Sequence, residues 1–125
     1  MEIYDALKTE GKARIIQELV PGKQITLAHV IANPDPVLYT KLGLDPAADY
    51  QTSAIGIITL SPAETAIIAG DIATKSSGAE LGFVDRFSGT LIVVGSVSQV
   101  EEAVNSVCTY VHDVLQFTVC PITKT

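Results

Sequence analysis

Two similar units follow one another in the second half of the chain, and this repetition constrains the fold more than any other feature. The first unit begins with an isoleucine-rich strand over Ala54–Leu60, and the sequence Ser61–Glu64 (Ser-Pro-Ala-Glu) follows it directly. Serine at the N-cap, proline at the first helical position and glutamate three residues after the cap together predict the start of a helix. We expect this helix to run to about Ser77, with Gly78 closing it.

The second unit repeats this order after a tight turn. A strand over Leu81–Phe87 reaches the turn Ser88-Gly89, and Thr90–Val94 forms the next strand. A second capping sequence, Ser98–Glu101, opens another helix, and Phe117–Ile122 predicts a final strand. The order strand, helix, strand, strand, helix, strand predicts an α+β fold with a ferredoxin-like βαββαβ core.

The two predicted helices differ in their apolar faces. The second helix carries a single stripe of valines, which predicts a face packed on the sheet. The first helix carries small residues around its circumference. These favour packing on the domain's own sheet, with close packing against a neighbouring subunit as the alternative. The valines are Val100, Val104, Val107, Val111 and Val114, and the small residues are Ala63, Ala66, Ala69, Gly70 and Ala73.

The first third of the chain adds elements ahead of this core. Residues 1–13 are polar and form an N-terminal arm that is either poorly ordered or helical. Residues 14–24 contain a short apolar run with strand character and then a Pro-Gly turn. Alternation over Ile25–Ala32 predicts a strand covered on both faces, and Val37–Leu42 predicts a short helix. The main domain therefore spans residues 25–125. One face of its first strand carries Ile25, Leu27, His29 and Ile31.

The chain is more apolar and less charged than an average soluble protein. Hydrophobic residues make up 47% of it and charged residues 18%, against a usual charged share of about 25%. A domain of this length leaves roughly a third of its unfolded surface exposed, so we expect an oligomer with substantial interfaces. The net charge of −6, without a basic stripe, excludes nucleic acid as a partner. Since neither a membrane span nor a secretory signal is evident, we expect a cytosolic protein without membrane contact.

Residues for catalysis or metal binding are few. The two histidines, His29 and His112, lack a nucleophile to activate, and His29 on its apolar strand face is best explained as a satisfied core histidine or a subunit contact. Cys108 and His112 are four residues apart on a predicted helix, and Cys120 could add a third metal ligand. Because paired-ligand motifs are absent, both cysteines are better explained as buried small hydrophobes. We expect no enzymatic activity, no cofactor and no metal ion.

Four segments of the chain carry a resemblance to one family. With them the chain resembles the circularly permuted, single-domain shell proteins of bacterial microcompartments, over about residues 14–125. Two types are similar, the S-type of ethanolamine-utilisation compartments and the U-type of propanediol-utilisation compartments, and the tail is closer to the U-type. The arm lies outside the shared pattern. The four segments are Arg14–His29, Ala54–Ile57, Gly82–Gly89 and Cys120–Thr125.

The resemblance implies a structural shell subunit rather than an enzyme. Members of this family form cyclic homohexamers that tile edge to edge into the wall of a cytoplasmic compartment, with other shell proteins and encapsulated enzymes as further partners. In the permuted type the strand and short helix that usually end the domain come first, which fits Ile25–Ala32 and Val37–Leu42. Related shells serve propanediol, ethanolamine and choline utilisation.

Two segments acquire a role from this resemblance. The segment Arg14–Val20 is expected to contribute one strand per subunit to a six-stranded parallel β-barrel over the central pore. Closing six strands into a barrel would remove the exposed edges of a lone strand. The turn Arg86–Gly89 is by itself an ordinary hairpin tip, and the resemblance makes it correspond to the pore loop of the family. A related shell protein holds an iron–sulfur cluster on a cysteine of this loop, and the turn here has no cysteine. The alternative function is an oligomeric small-molecule-binding regulatory domain of ferredoxin-like fold. The barrel strand is Arg14, Ile15, Ile16, Gln17, Glu18, Leu19 and Val20, and the pore-loop candidates are Arg86, Phe87, Ser88 and Gly89.

Overall fold

The computed structural model describes residues 22–44 and 53–125, and within these ranges it contains five strands and three helices. The predicted arm (1–13) and the predicted barrel strand (14–20) lie outside the described residues. The elements in chain order are β1 (Gln24–Ile31), α1 (Val37–Lys41), β2 (Ala54–Ser61), α2 (Thr65–Ser76), β3 (Glu80–Asp85), β4 (Thr90–Gly95), α3 (Val97–Asp113) and β5 (Thr123–Lys124).

The five strands form one mixed sheet in the order β3-β4-β2-β1-β5. Neighbouring strands are antiparallel, except for β1 and β5, which are parallel. The predicted βαββαβ order is found along the chain as β2-α2-β3-β4-α3-β5. The first described strand, β1, nevertheless lies inside the sheet, between the first and the last strand of that core. The fold is therefore α+β, and the strand that precedes the βαββαβ core in the chain lies within the sheet of that core.

Helices lie on both faces of the sheet, but the prediction that β1 is covered on both faces holds for one face only, because Leu27 on the other face is exposed and His29 and Ile31 are half-buried. Helices α2 and α3 pack on one face and enclose the main core, in which Val30, Ile58 and Leu91 are fully buried. Helix α1 contributes Tyr39 to a smaller cluster on the opposite face. The other buried members of this second cluster are Leu44, Ile55, Ile92 and Val94.

The helix faces agree with the predicted stripes except at one end. The first four valines of the α3 stripe are fully buried, whereas Val114 follows the end of α3 and is exposed. In α2, three of the small residues belong to the main core, so packing on the domain's own sheet is confirmed for them. These are Ala66, Ala69 and Ala73.

The start of α2 differs from the prediction. Ser61 does not cap this helix, because it remains in the ladder of β2 and pairs with Gln24 of β1. The next three residues form turns, and the first of their hydrogen bonds joins the Thr65 amide to the Pro62 carbonyl at 3.0 Å. Long-range strand pairing thus overrides the local capping sequence and delays the helix to Thr65.

The start of α3 also differs, although the capping chemistry is the expected one. Its N-cap is Ser96, whose side chain accepts a hydrogen bond from the Gln99 amide at 3.1 Å. The Gln99 side chain in turn accepts the Ser96 amide at 2.9 Å. The predicted box Ser98–Glu101 is wrong, because this reciprocal Ser-x-x-Gln box two residues earlier already satisfies the free amides of the helix end.

A register shift in β1 corrects the predicted alternation of this strand. The ladder with β2 shifts between Ile25 and Leu27, so Ile25 joins the main core together with Ala28 and Val30. Leu27, which was expected on the same face as Ile25, is exposed. An extra residue in one strand moves the following side chains to the opposite face, which sequence alternation alone does not reveal.

The last strand lies further along the chain than predicted. Phe117 is buried in the main core, and in the segment Phe117–Ile122 only Thr118 forms a bridge, with Gln24. Regular pairing begins at Thr123, after Pro121, which has no amide to donate to a ladder. The predicted strand Phe117–Ile122 is therefore wrong, and β5 is a two-residue parallel strand.

Candidate functional site

The turn between β3 and β4, residues 86–89, is held by the side chain and the backbone of Asp85. One carboxylate oxygen of Asp85 accepts the amide of Phe87 at 2.8 Å, and the other accepts the hydroxyl of Ser88 at 2.8 Å. The Asp85 carbonyl also accepts the Gly89 amide at 2.9 Å. An aspartate that binds the backbone two residues ahead forms a rigid turn. Strand β3 accordingly ends at Asp85, whereas the sequence predicted a strand that continues to Phe87.

Gly89 anchors the other end of the turn against β2. Its carbonyl accepts the Leu60 amide at 2.8 Å, and its φ of +76° lies in the left-handed region. A Cβ atom at this position would overlap the Leu60 carbonyl oxygen. Both the backbone conformation and the space therefore require glycine here.

Arg86 and Phe87 project from this anchored turn into solvent. Phe87 is the most exposed large apolar side chain of the described residues, with 80% of its surface accessible. The Arg86 guanidinium lies 4.8 Å from the centroid of the Phe87 ring, within the range of a cation–π contact. An open groove of about 380 Å³ runs beside them and is lined also by Ile67 and Val84. The turn thus presents a cation and an aromatic ring on a rigid base.

The two charges of this turn have different surroundings. The pKa of the Asp85 carboxyl is lowered from its ordinary value, first by the Phe87 amide, then by the Ser88 hydroxyl, with a further contribution from the Arg86 charge. The Asp85 carboxylate is therefore ionised at neutral pH, and it accepts hydrogen bonds from the Phe87 amide and the Ser88 hydroxyl. The Arg86 guanidinium remains the charge that faces outward.

The described residues do not assemble the ligands that a metal site would need. Cys108 is buried in α3, and burial raises the pKa of its thiol to about 11, with nearby Cys120 adding to the rise. His112 is exposed and pairs with Asp113, its Nδ1 lying 2.8 Å from the carboxylate. In the ranges 22–44 and 53–125, three or more His, Cys, Asp or Glu residues nowhere cluster as for a metal ion. Cys108 and His112 therefore belong to no such cluster in these ranges.

His29 is satisfied by the C-terminal tail rather than by a catalytic partner. Its Nδ1 contacts the Thr123 hydroxyl, and its Nε2 contacts the Thr125 hydroxyl at 2.9 Å. The Thr123 hydroxyl donates in turn to the Ala28 carbonyl at 3.3 Å. The ring nitrogens of His29 are therefore satisfied, but the side chain is only half-buried, so His29 is not a core residue.

Sequence reasoning overlooked several exposed apolar side chains on α2 and β3. Ile67 and Ile68 on α2 and Leu81, Phe83 and Val84 on β3 are all exposed. Their types alone suggested core positions, because a strand or helix interior usually buries them. The available signal was the pair of consecutive isoleucines in a helix whose buried face is otherwise made of small residues.

None of the helices described for residues 22–44 and 53–125 has both the length and the apolar character needed to cross a membrane.

Comparison with curated proteins finds close relatives over most of the chain. The bacterial microcompartment shell protein PduU of Salmonella typhimurium is 54% identical over 112 residues, which cover 90% of this chain and 93% of the relative. The shell protein EutS of Escherichia coli is 51% identical over 113 residues, covering 90% and 97%. The shell protein CutR of Streptococcus intermedius is 48% identical over 111 residues, covering 89% and 91%.

Comparison with solved structures finds the same fold. A structure described as a flat hexamer of CutR superimposes with a TM-score of 0.77 at 44% sequence identity, covering 85% of this chain and 94% of that one. A structure described as a CutR screw superimposes with a TM-score of 0.76 at 44% identity, covering 84% and 100%. The family model of the BMC domain matches residues 54–123, more than half of the chain. This protein therefore belongs to the BMC-domain family.

Proposed function

We propose that this chain is a structural subunit of a bacterial microcompartment shell, which forms cyclic hexamers that tile into the wall of the compartment. The observation that carries this proposal is the identity of about half of all residues to the shell proteins PduU and EutS over 90% of the chain. Solved structures of the same fold are described as flat hexamers, which supports self-association. The compartment wall lies in the cytoplasm, and other shell proteins and encapsulated enzymes are the further partners.

The apolar surface supports an assembled state. Twelve large apolar side chains are exposed among the described residues. Apolar side chains that form a contiguous exposed patch mark interaction sites in soluble proteins. No specific observation favours the alternative of a small-molecule-binding regulatory domain, and the relatives found are named as shell proteins.

We further propose that the domain is circularly permuted. The observation that supports this is the position of β1, which precedes the core in the sequence but lies between β2 and β5 in the sheet. A strand and a short helix moved from the end of a domain to its beginning would keep their place in the sheet while changing their order in the chain. β1 and α1 have that order and that position.

The proposed pore elements are the turn residues Arg86, Phe87, Ser88 and Gly89 and the strand residues 14–20. The rigidity of the turn, its protrusion and its outward Arg86 and Phe87 support the first of these. With this turn at the axis, six guanidinium groups surround the opening and favour anionic solutes over cations. The strand residues 14–20 then close above it as a six-stranded parallel barrel, whose interior is filled by side chains.

Sedimentation velocity tests the assembly of the protein. We expect a species of about six times the 13.2 kDa chain mass at micromolar concentration, and six-fold rings and sheets in electron micrographs. A stable monomer under these conditions would contradict the proposed function.

A cross-linking experiment tests the position of the turn separately. In a Cys120→Ser background, Phe87→Cys places one exposed thiol at the tip of each turn, since Cys108 is buried. With the turn at the axis, a short bismaleimide converts most chains to covalent pairs. The matched control Ser98→Cys, at the exposed start of α3, should give few pairs. Equal yields from both variants would remove the turn from the axis while leaving the hexamer intact.

A further inference from the structure

The two cysteines of the chain, Cys108 and Cys120, pack on the same hydrophobic core. Cys108 is a buried member of the main core on α3. Cys120 lies in the segment between α3 and β5, is half-buried and packs against that core from its edge. The prediction of two buried cysteines therefore holds for Cys108 only. Both thiols are free, and one of them is within reach of solvent.

The C-terminal tail runs back along α3, and two contacts fix its direction. At one end the Phe117 amide donates to the Val111 carbonyl at 2.9 Å. At the other end the Lys124 Nζ lies 2.8 Å from a carboxylate oxygen of Glu101. Because Glu101 precedes Val111 in the helix while Lys124 follows Phe117, the tail is antiparallel to α3. Both cysteines lie between these two contacts.

The same two contacts place the cysteines at a similar level along α3. Cys108 lies three residues before Val111, which is about 4.5 Å along the helix axis. Cys120 lies three residues after Phe117, at most about 10 Å along an extended chain. Their proximity also has an electrostatic effect. Burial raises the pKa of the Cys108 thiol to about 11, and the charge of Cys120 contributes to this rise.

We propose that Cys108 and Cys120 are a redox modification site, which forms an intrachain disulfide with a small-molecule disulfide such as oxidised glutathione and thereby fastens the C-terminal tail to α3. The two residues meet from neighbouring elements, and both side chains face the main core. This inference concerns the chemistry of the subunit itself and does not rest on its role in a shell.

The exposure of the two thiols sets the order of the exchange steps. The Cys120 thiolate attacks one sulfur of oxidised glutathione, whose S–S bond breaks and releases one molecule of glutathione. The Cys108 thiol then loses its proton to water, and its sulfur attacks the Cys120 sulfur. The second glutathione leaves as the Cys108–Cys120 bond forms. Two protein thiols are thus oxidised, and one glutathione disulfide is reduced to two thiols.

The disulfide would act on a segment that is held by few backbone bonds. Strand β5 has two residues, and its pairing with β1 ends in the bonds of the Thr125 amide to the Val30 carbonyl at 2.9 Å and of the Ala32 amide to the Thr125 carbonyl at 2.8 Å. Short edge segments of this kind open locally more easily than a core strand. A covalent bond at Cys120 restricts that opening, because it anchors the segment that leads into β5.

The test exposes the folded full-length protein to excess oxidised glutathione. The reaction is then stopped with an alkylating reagent in urea, which labels every thiol that is still free. We expect the main product to be lighter by two hydrogen atoms in mass spectrometry and to take up no label. A digest should give one linked pair of peptides that contains Cys108 and Cys120. Cys108→Ser should instead keep glutathione on Cys120, since no second thiol displaces it.

A matched variant tests whether the native geometry causes the closure. The double change Cys108→Ser, Val104→Cys moves the enclosed thiol one turn along α3, by about 6 Å, to another fully buried position. Because a disulfide needs Cα atoms about 4.4–6.8 Å apart, we expect closure to be at least tenfold slower. Far-ultraviolet circular dichroism checks that each variant is folded.

Hydrogen exchange gives a readout of the fastened tail. The Thr125 amide should exchange at least threefold more slowly in the oxidised protein, and dithiothreitol should reverse this change. A wild-type product that keeps glutathione on Cys120, a disulfide between two chains, or equally fast closure in the shifted variant would overturn the proposed site. Unchanged exchange at Thr125 in the oxidised protein would overturn the fastening of the tail.

Discussion

The Leu60 amide donates a hydrogen bond to the Gly89 carbonyl at 2.8 Å, and this bond joins the tip of the β3–β4 hairpin to the end of β2. Because Gly89 has a φ of +76° and lies against the Leu60 carbonyl, the turn has little freedom to move. Arg86 and Phe87 are therefore presented from a fixed backbone rather than from a loose loop.

Gly89→Ala is expected to destabilise the protein by at least about 2 kcal/mol, because a side chain in the left-handed region is strained and its Cβ would overlap the Leu60 carbonyl oxygen. Urea unfolding at one protein concentration measures this change. Gly43→Ala is the matched control, since Gly43 also has a positive φ, of +70°, but open space around it. The control should cost about 1 kcal/mol from strain alone. Equal losses in both variants would remove the close contact with Leu60 as the cause.

Asp85→Asn is expected to change how stability depends on acid. The folded-state pKa of Asp85 is lowered, so its ionised form stabilises the native turn above the ordinary carboxyl pKa. This stabilisation is lost as the pH falls below about 4 and through the lowered folded-state pKa. Thermal unfolding between pH 7 and pH 2 should show that the advantage of the wild type over the variant shrinks below about pH 4. A constant difference over this range would contradict a role for the Asp85 charge.

Gly56→Ala is expected to overpack the contact between β2 and α3. A Cβ atom at Gly56 would lie 2.8 Å from Cγ1 of Val100 and 2.9 Å from Cγ2 of Val93. Overpacking of this kind costs about 1–3 kcal/mol. Val100→Ala removes one of the two opposing methyl groups, so the double variant Gly56→Ala, Val100→Ala should be more stable than the sum of the single changes predicts. Additive losses, within about 0.5 kcal/mol, would mean that the two positions do not share this space.

His29→Ala is expected to loosen the C-terminal tail. The substitution removes both hydroxyl contacts of the imidazole, with Thr123 and Thr125, and should cost about 1–2 kcal/mol. The local readout is hydrogen exchange at the amides of Ala32 and Thr125, which bond across β1 and the tail. Lys124→Ala is the control, because its ion pair with Glu101 is exposed and should contribute less than about 1 kcal/mol. Unchanged exchange in His29→Ala would show that the backbone bonds alone hold the tail.

The local part of the fold was predictable because it depends on periodicity. The valines at positions 100, 104, 107 and 111 recur at helical spacing, and all of them are buried in α3. The Ser-Gly sequence at positions 88 and 89 marks a hairpin turn, and the turn is there. Errors arose where two local signals competed. The sequence predicted the cap at Ser98, whereas the structure places it at Ser96, directly after β4 ends at Gly95.

The candidate site was predictable in position but not in its surroundings. The turn residues were identified by resemblance, and their role in a pore stays a prediction. Nothing in the local pattern indicated that Asp85 would bind two donors of the turn, or that Ile67 and Val84 would share an exposed groove. The Asp85 contacts are local, but the shared groove joins residues of α2 and β3 that lie 17 positions apart in the chain, so it depends on how the elements pack.

The sequence by itself indicated the order of strands and helices, because an apolar stripe is typical of a helix and alternation is typical of a strand. The tertiary structure decided which strands and helices contact one another and which side chains stay exposed. It placed β1 between β2 and β5, shifted the register between Ile25 and Leu27, and left the apolar side chains of β3 exposed. The physical reason is that strand pairing joins backbone groups that carry no side-chain signal, so the choice of neighbour is made by the packing of the whole sheet.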